Sequence, residues 1–406
     1  MELYAHQKRF LEKNPDRALL CHGTGTGKTI TAIRWGDLKS IEKEKILVVC
    51  PKSLKENWIR NIRTHSKAER VIWSVLTKEE FRRDHKELPY YGIVIVDEAH
   101  YFSGIKSQMT KALATFCKDN EIQYRLLLTA TPYLSTPWNI YTLARHLGHA
   151  WSYPEFEWKF FYKIRMGMRS IPVIKEGMEG EIAELVAKIG DVVRLDECID
   201  VPPQIFETER LELTSAQQKR IKKINEINPI VRFTYTHEVE NGVLKSDGFT
   251  EDEFFDNNKT DRIIELCKEV DKVAVVCRYN LQIDALKAEI EKSVPGKAVH
   301  VIRGDVKDRQ AVVDDIERAD RAIVLIQGAC SEGYELPSVG LIVFASLDFS
   351  YKNYVQMCGR FLRINKPKKN VYIHLVIDGG VDEAVMEAME KKQDFAIEIY
   401  ARNKVI

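Results

Sequence analysis

Three things are scarce in this 406-residue chain, and each scarcity narrows the function. Net charge is nearly absent: 61 Lys and Arg against 60 Asp and Glu leave +1, so no global basic field announces a polyanionic partner. Balanced totals still permit a local basic groove, because segregated patches cancel in the sum. Long apolar runs are also missing. "ILVVC", "IVIV" and "LIVFA" fall well short of the roughly 18 residues of a membrane span, and the opening "MELYAHQKRF" has no apolar signal-peptide core. Paired cysteines are the third absence. Eight cysteines are scattered without any C-x-x-C, so neither a zinc site nor a disulfide framework is indicated, and a reducing, cytoplasmic compartment is expected.

What remains is an ordinary globular composition, 45% apolar and 30% charged, in a chain long enough for two or three domains. "KILVVC" (45–50), "YGIVIVDE" (91–98) and "YRLLLTAT" (124–131) read as strands of a parallel sheet covered on both faces. A second series starts near residue 258. There "KVAVVCRY" (272–279), "AVHVIRG" (298–304), "RAIVLIQ" (321–327), "VGLIVFAS" (339–346) and "NVYIHLVI" (370–377) are separated early on by helical patterns. The fold class is therefore α/β with two doubly wound units. Expected boundaries are 1–148, a helical insertion and linker over 149–257, and 258–406. Within the insertion, "WSYPEFEWKFFYKIRMGMRS" is aromatic and basic, "EGEIAELVAKIG" reads as a short amphipathic helix, "DVPPQ" as a linker start and "EVENGVLKSDGF" as a hairpin or loop.

Four short stretches carry chemistry. In "LLCHGTGTGKTITA" (19–32), Gly23, Thr24, Gly25, Thr26 and Gly27 let backbone N–H groups turn around phosphates at a helix start. Lys28 would reach the β- and γ-phosphates and Thr29 would ligate Mg²⁺. His22 stands where the usual pattern has its first glycine, so the segment alone is also compatible with a plain glycine turn. "VIVDEAH" ends an apolar strand in two adjacent carboxylates, costly there unless they serve a metal or a reaction. Asp97 suits Mg²⁺, and Glu98 suits the base that orients attacking water. "LLLTATP" places Thr129 and Thr131 where hydroxyls could couple phosphate occupancy to the carboxylate segment and His100. Far downstream, "QMCGRFLRI" carries Gln356, Arg360 and Arg363. The two arginines share a helix face and would act as arginine fingers if the second domain closed on the first.

In this order the stretches resemble the helicase-like superfamily 2 ATPases, which have two RecA-like domains clamping ATP. "VVCPKSLKENWIRNI", "DEAHYFSGIKSQMTKAL", "LTATPYLSTPWNIYTLARHLG" and "VRLDECIDVPPQIFETERLELTSAQQ" are similar to Swi/Snf-type segments. So are "VIRGDVKDRQ" and "LIQGACSEGYELPSVGLIVFAS", and the likeness spans almost the whole chain. It implies that Gln7 of "LYAHQKRFL" reads adenine and that Glu332 and Gly333 complete the nucleotide site. By family position it also implies that Lys52, Ser53, Arg278 and Arg303 meet nucleic-acid phosphates. Three positions depart from the family pattern: Leu195 follows Arg194 where a second arginine is usual, Glu335 stands for asparagine, and Met357 for arginine. His22 does not, since a non-glycine residue is common at that position in this branch.

The resemblance thus implies an ATP- and Mg²⁺-dependent translocase on duplex DNA, intracellular and membrane-free. A strand-separating DNA or RNA helicase of the same superfamily is the enzymatic alternative, though no wedge hairpin stands out after residue 300. An ATP-switched DNA clamp that turns over poorly is the non-enzymatic one.

Overall fold

A run such as "ILVVC" has no polar face to give to water, so it is stable only with both faces covered. In the structure, a computed structural model, this run lies in the strand Lys45–Cys50, and its alternate side chains enter two separate cores. Leu47 and Val49 go to one layer, Ile46, Val48 and Cys50 to the other. The structure describes residues 3–23, 25–40, 45–130, 138–149, 151–166, 169–175, 177–193, 203–224, 229–246, 251–306, 308–362, 369–387 and 389. Thr24, Thr131 and Arg363 lie outside the described residues, as do Arg194, Leu195 and Cys198.

The chain divides into two compact units, whose described residues end at 193 in the first and begin at 203 in the second. Unit 1 contains β1 (Arg17–His22), β2 (Lys45–Cys50), β3 (Ile72–Thr77), β4 (Ile93–Val96), β5 (Tyr124–Leu128), β6 (Phe161–Met166), β7 (Arg169–Ile174) and β8 (Gly190–Val193). Its six-stranded sheet runs β3-β2-β4-β5-β1-β8, parallel throughout. Parallel strands put all their carboxyl ends on one edge, the edge where open α/β sheets bind ligands. β1 leads there into the glycine loop, β4 into Asp97 and Glu98, and β5 into Thr129.

Unit 2 repeats the plan with β9 (Gln204–Leu211), β10 (Val243–Leu244), β11 (Glu253–Phe254), β12 (Lys272–Cys277), β13 (Ala298–Ile302), β14 (Ala322–Gln327), β15 (Leu341–Phe344) and β16 (Asn370–Ile377). Its parallel sheet runs β13-β14-β12-β15-β16-β9. Again one face buries Ala274, Val276 and Val324 while the other buries Val275, Ile323 and Leu325. Both units are α/β layers around a parallel sheet, the fold class expected.

The middle of the chain differs from a helical insertion plus linker. The helices Tyr153–Phe160 and Glu179–Ile189 are present, and Ile182, Leu185, Val186 and Ile189 of the second pack into the unit 1 core. "FYKIRM" is not helical, however. β6 pairs antiparallel with β7, Phe161 opposite Ile174, as suits aromatic and β-branched residues. β8 then joins the edge of the first sheet and β9 the edge of the second. In "EVENGVLKSDGF" the helix Pro229–Glu240 ends and β10 begins, pairing antiparallel with β11.

Candidate nucleotide site

The helix Lys28–Lys39 starts directly from Gly27, which sits in the left-handed region at φ 81°, as Gly25 does at φ 79°. Left-handed backbone at two alternate positions is easily adopted only by glycine, and it turns loop N–H groups inward as a nest. Lys28 Nζ lies within the loop, donating to the carbonyls of His22 (2.7 Å) and Gly23 (3.0 Å), and Thr26 Oγ1 donates to Gly23 O at 2.7 Å. The helix Ala5–Lys13 holds the loop from outside. Gln7 Nε2 donates to Gly27 O at 3.1 Å, and His6 Nε2 lies 3.0 Å from Thr26 O. Gln7 Oε1 accepts from the Tyr4 amide at 2.8 Å, so both ends of this amide are engaged. Thr29 is half-buried in the first helical turn.

Asp97 is buried at the end of β4. One carboxylate oxygen accepts from the Trp58 indole N–H at 2.7 Å and the other from the Glu98 amide at 2.9 Å. Burial and the neighbouring Glu98 charge push its carboxyl up to about 6, against the pull of the Trp58 bond and the Lys28 charge. Glu98 itself has left-handed backbone, φ 49° and ψ 52°, a conformation uncommon for a residue with a Cβ and one that collects at functional sites. His100 Nδ1 lies 3.0 Å from Glu98 Oε2. Thr129 is buried at the end of β5, its amide donating to Leu20 O. Unit 1 therefore gathers an N–H cradle, a lysine, a hydroxyl and a buried carboxylate pair. That donor set fits a nucleotide phosphate chain with a hard, oxygen-seeking cation.

Lys52 and Ser53 are exposed on the turn Lys52–Leu54 after β2. In unit 2, Gly333 is left-handed at φ 90° beside half-buried Glu332. Gln356 is buried and accepts from Ser331 Oγ at 3.2 Å, while Arg360 donates to Ser331 O (2.6 Å) and Tyr334 O (3.2 Å). The 331–336 loop and the end of the helix Tyr351–Gly359 thus form one hydrogen-bonded knot. Arg278 donates to Asp348 at 2.8 Å and lies 3.6 Å over the Phe349 ring. Arg303 is forked onto Asp305 and donates to Asp284 at 2.6 Å. Both arginines are thus shared with carboxylates of their own unit.

Trp58 lies in the Swi/Snf-like segment 48–62, where nothing in the sequence marks its partner, and His6, Arg9 and Asp191 stand out in no motif of their own. His22 Nε2 meets Asp191 Oδ2 at 2.9 Å, and Arg9 reaches both Asp191 oxygens. A lone acid in a four-residue strand gives no signal by itself.

Residues 9–95 match the SNF2-related domain, and residues 258–365 match the helicase conserved C-terminal domain. Relatives named SWI/SNF-related matrix-associated actin-dependent regulator of chromatin subfamily A-like protein 1 occur in Drosophila melanogaster and Xenopus tropicalis. The first is 22% identical over 95% of this chain and 54% of its own length; the second is 23% identical over 94% and 43%. A Caenorhabditis elegans homolog is 22% identical over 97% of this chain and 61% of its own. The chain thus spans about half the length of these relatives. A Sulfolobus solfataricus SWI2/SNF2 ATPase core in complex with dsDNA aligns with a TM-score of 0.42 at 17% identity, covering 98% of this chain and 93% of that one. Among the described residues no helix is long and apolar enough to cross a membrane.

Proposed function

We propose that this chain, whose two matched regions are the SNF2-related and helicase C-terminal domains, is a Snf2-type ATPase of helicase superfamily 2 that moves along duplex DNA inside the cell by hydrolysing ATP. The observation that carries the reading lies in unit 1. A lysine-bearing glycine nest and a buried Asp–Glu pair leave the same sheet edge, close enough for the Lys28 charge to act on Asp97.

Gly25, Gly27 and the start of the helix Lys28–Lys39 supply N–H groups for phosphate oxygens, and Lys28 adds a mobile positive charge. Gln7, already fixed against the loop, is the candidate for adenine. Thr29 and Asp97 would hold Mg²⁺, which when bound supplies charge neutralisation on the phosphate oxygens. Glu98 is proposed to orient and deprotonate the attacking water, with His100 and Thr129 linking its state to the strand ends. From unit 2, Arg360 and Arg363 supply guanidinium groups for the transferred phosphoryl, Gln356 steadies the 331–336 loop through Ser331, and Glu332 and Gly333 contribute to nucleotide binding. Lys52, Ser53, Arg278 and Arg303 are assigned to DNA phosphates, contacts that position without reading sequence.

The test is ATP turnover without nucleic acid and with single-stranded DNA, duplex DNA and RNA, alongside strand- and triplex-displacement assays. Duplex stimulation with triplex displacement and no unwinding is expected. Efficient unwinding would replace this reading with a strand-separating helicase, and binding without turnover would replace it with a clamp. Lys28→Ala and Glu98→Gln are expected to abolish hydrolysis, and robust turnover in either removes the site assignment.

A further inference from the structure

His22, the residue in place of the loop's first glycine, is fully buried and makes a directed contact. A carboxylate can only accept, so the 2.9 Å contact to Asp191 places a proton on His22 Nε2. Burial pushes the imidazole below its ordinary value by more than the Asp191 bond lifts it. Burial acts on Asp191 in the opposite sense, but the bonds from His22 and Arg9 outweigh it and keep the carboxyl low. The pair is therefore neutral imidazole against carboxylate. Its neighbours along β1 are Leu19, Leu20 and Cys21, and apolar residues at 22 and 191 would be the cheaper filling for such a place.

The pair joins two particular pieces of chain. Asp191 lies on β8, the last strand of unit 1 among the described residues before the chain passes into unit 2. In register Leu20 faces Asp191 and His22 faces Val193, so His22 and Asp191 are diagonal neighbours on one face. One residue on, the amide of Gly23, the first loop glycine, donates to Val193 O at 2.9 Å. Gly190 admits a close approach here, since a Cβ would stand 2.3 Å from Leu19 O. The helix Ala5–Lys13 grips both partners. Its Arg9 and Lys13 reach Asp191, while His6 and Gln7 reach Thr26 and Gly27. Lys28 meanwhile donates to the carbonyls of His22 and Gly23, the two residues bonded to β8. A four-residue edge strand is therefore fastened at the point where the loop begins.

We propose that His22 and Asp191 are positioning residues that latch the phosphate loop to β8, so that ordering of the loop by nucleotide also orders the strand leading into unit 2. This rests on unit 1 binding ATP as proposed above. Neither residue touches the phosphates; each acts through the backbone of Gly23 and Val193.

The experiment is hydrogen exchange on the full chain with and without AMP-PNP and Mg²⁺, comparing wild type with Asp191→Leu, His22→Phe and Asp191→Asn. His22→Phe keeps an aromatic ring against His6 and Phe10 and removes the Nε2–H donor together with the second ring nitrogen, so it serves if Asp191→Leu fails to fold. In wild type the nucleotide is expected to slow exchange both at 21–29 and, by about fivefold or more, at 191–193. In Asp191→Leu and His22→Phe the first effect stays and the second falls below about twofold. Asp191→Asn, which still accepts from Nε2–H, keeps both. With duplex DNA, Asp191→Leu should lower kcat about tenfold and move KM for ATP less than about threefold. Protection at 21–29 in wild type with β8 responding alike in all variants overturns this inference alone. So does a rise in KM with kcat unchanged, the result of a merely structural loop defect. No protection at 21–29 in wild type defeats the ATP-site reading itself.

Discussion

The indole N–H of Trp58 donates a 2.7 Å hydrogen bond to Oδ2 of Asp97, joining residues 39 positions apart in a fully buried contact. The ring belongs to one of the two cores that cover the sheet, and the N–H reaches the site at its carboxyl edge. Trp58→Phe keeps most of the packing and strands a carboxylate oxygen, so a stability loss of about 1–3 kcal/mol is expected in denaturant titration. Turnover should fall more than nucleotide affinity, because the group left unheld is one assigned to the cation. Unchanged stability and unchanged turnover would show the bond to be incidental.

Gly27 is constrained twice. It is left-handed, and a Cβ there would stand 2.5 Å from Gln7 Nε2. Gly27→Ala should abolish binding of a fluorescent ATP analogue. Because the clashing atom is the end of a flexible side chain, adding Gln7→Ala relieves the contact but not the backbone. The double variant should therefore bind no better than Gly27→Ala, and recovery would show that crowding, not φ, is the constraint.

Unit 2 buries an ion pair. Lys259 Nζ donates to Asp382 Oδ2, Asn241 Oδ1 and Ala345 O, and Asp382 Oδ1 meets His237 Nε2 at 2.8 Å. Burial would raise the Asp382 carboxyl, but Lys259 and His237 together drive it far below the usual range. Lys259→Met leaves a buried carboxylate short of its cation, at an expected cost of about 3–5 kcal/mol in urea unfolding. A loss below about 1 kcal/mol would mean that the interior adjusts or that water enters.

His146 gives the pH dependence a sign. Burial holds its imidazole down to about 4, against a weaker lift from its contact with Phe102 O. The unfolded chain then binds a proton that the folded chain refuses, so the His146 contribution is complete above about 6.5 and declines as pH falls towards 4. Glu240 and Asp97, raised by burial to about 7 and about 6, act oppositely and gain stability on acidification over that range. The difference between wild type and His146→Gln isolates the histidine. Wild type should lose up to about 1.4 kcal/mol per pH unit relative to the variant between pH 6.5 and 4. A constant difference from pH 7 to 5 would contradict the assignment.

DNA contacts separate by salt dependence. Lys52 is exposed on its turn, whereas Arg303 is shared between Asp284 and Asp305. Lys52→Ala should reduce the slope of log affinity against log salt by about one. Arg303→Ala should change it less unless DNA displaces the two carboxylates. An unchanged slope for Lys52→Ala removes that residue from the interface.

The sequence by itself determined whatever is local. Short, uninterrupted apolar runs rich in β-branched residues read as strands covered on both faces, and β2, β4, β5, β12, β14, β15 and β16 lie where such runs stand. The loop, the Asp97–Glu98 pair and the Gln356–Arg360 stretch were legible because each chemistry needs its residues within a few positions of one another. The edge strands were not. β9 is mostly exposed along "QIFETERL", and β8 is four residues at the end of a helix, so neither carries an apolar run to mark it. Only the tertiary structure decided which strand each pairs with. Contact across a sheet is fixed by register and chain crossing, quantities that no short stretch encodes. For the same reason it decided that Trp58 holds Asp97 and that the glycine missing at position 22 is a histidine bound to an acid 169 residues away.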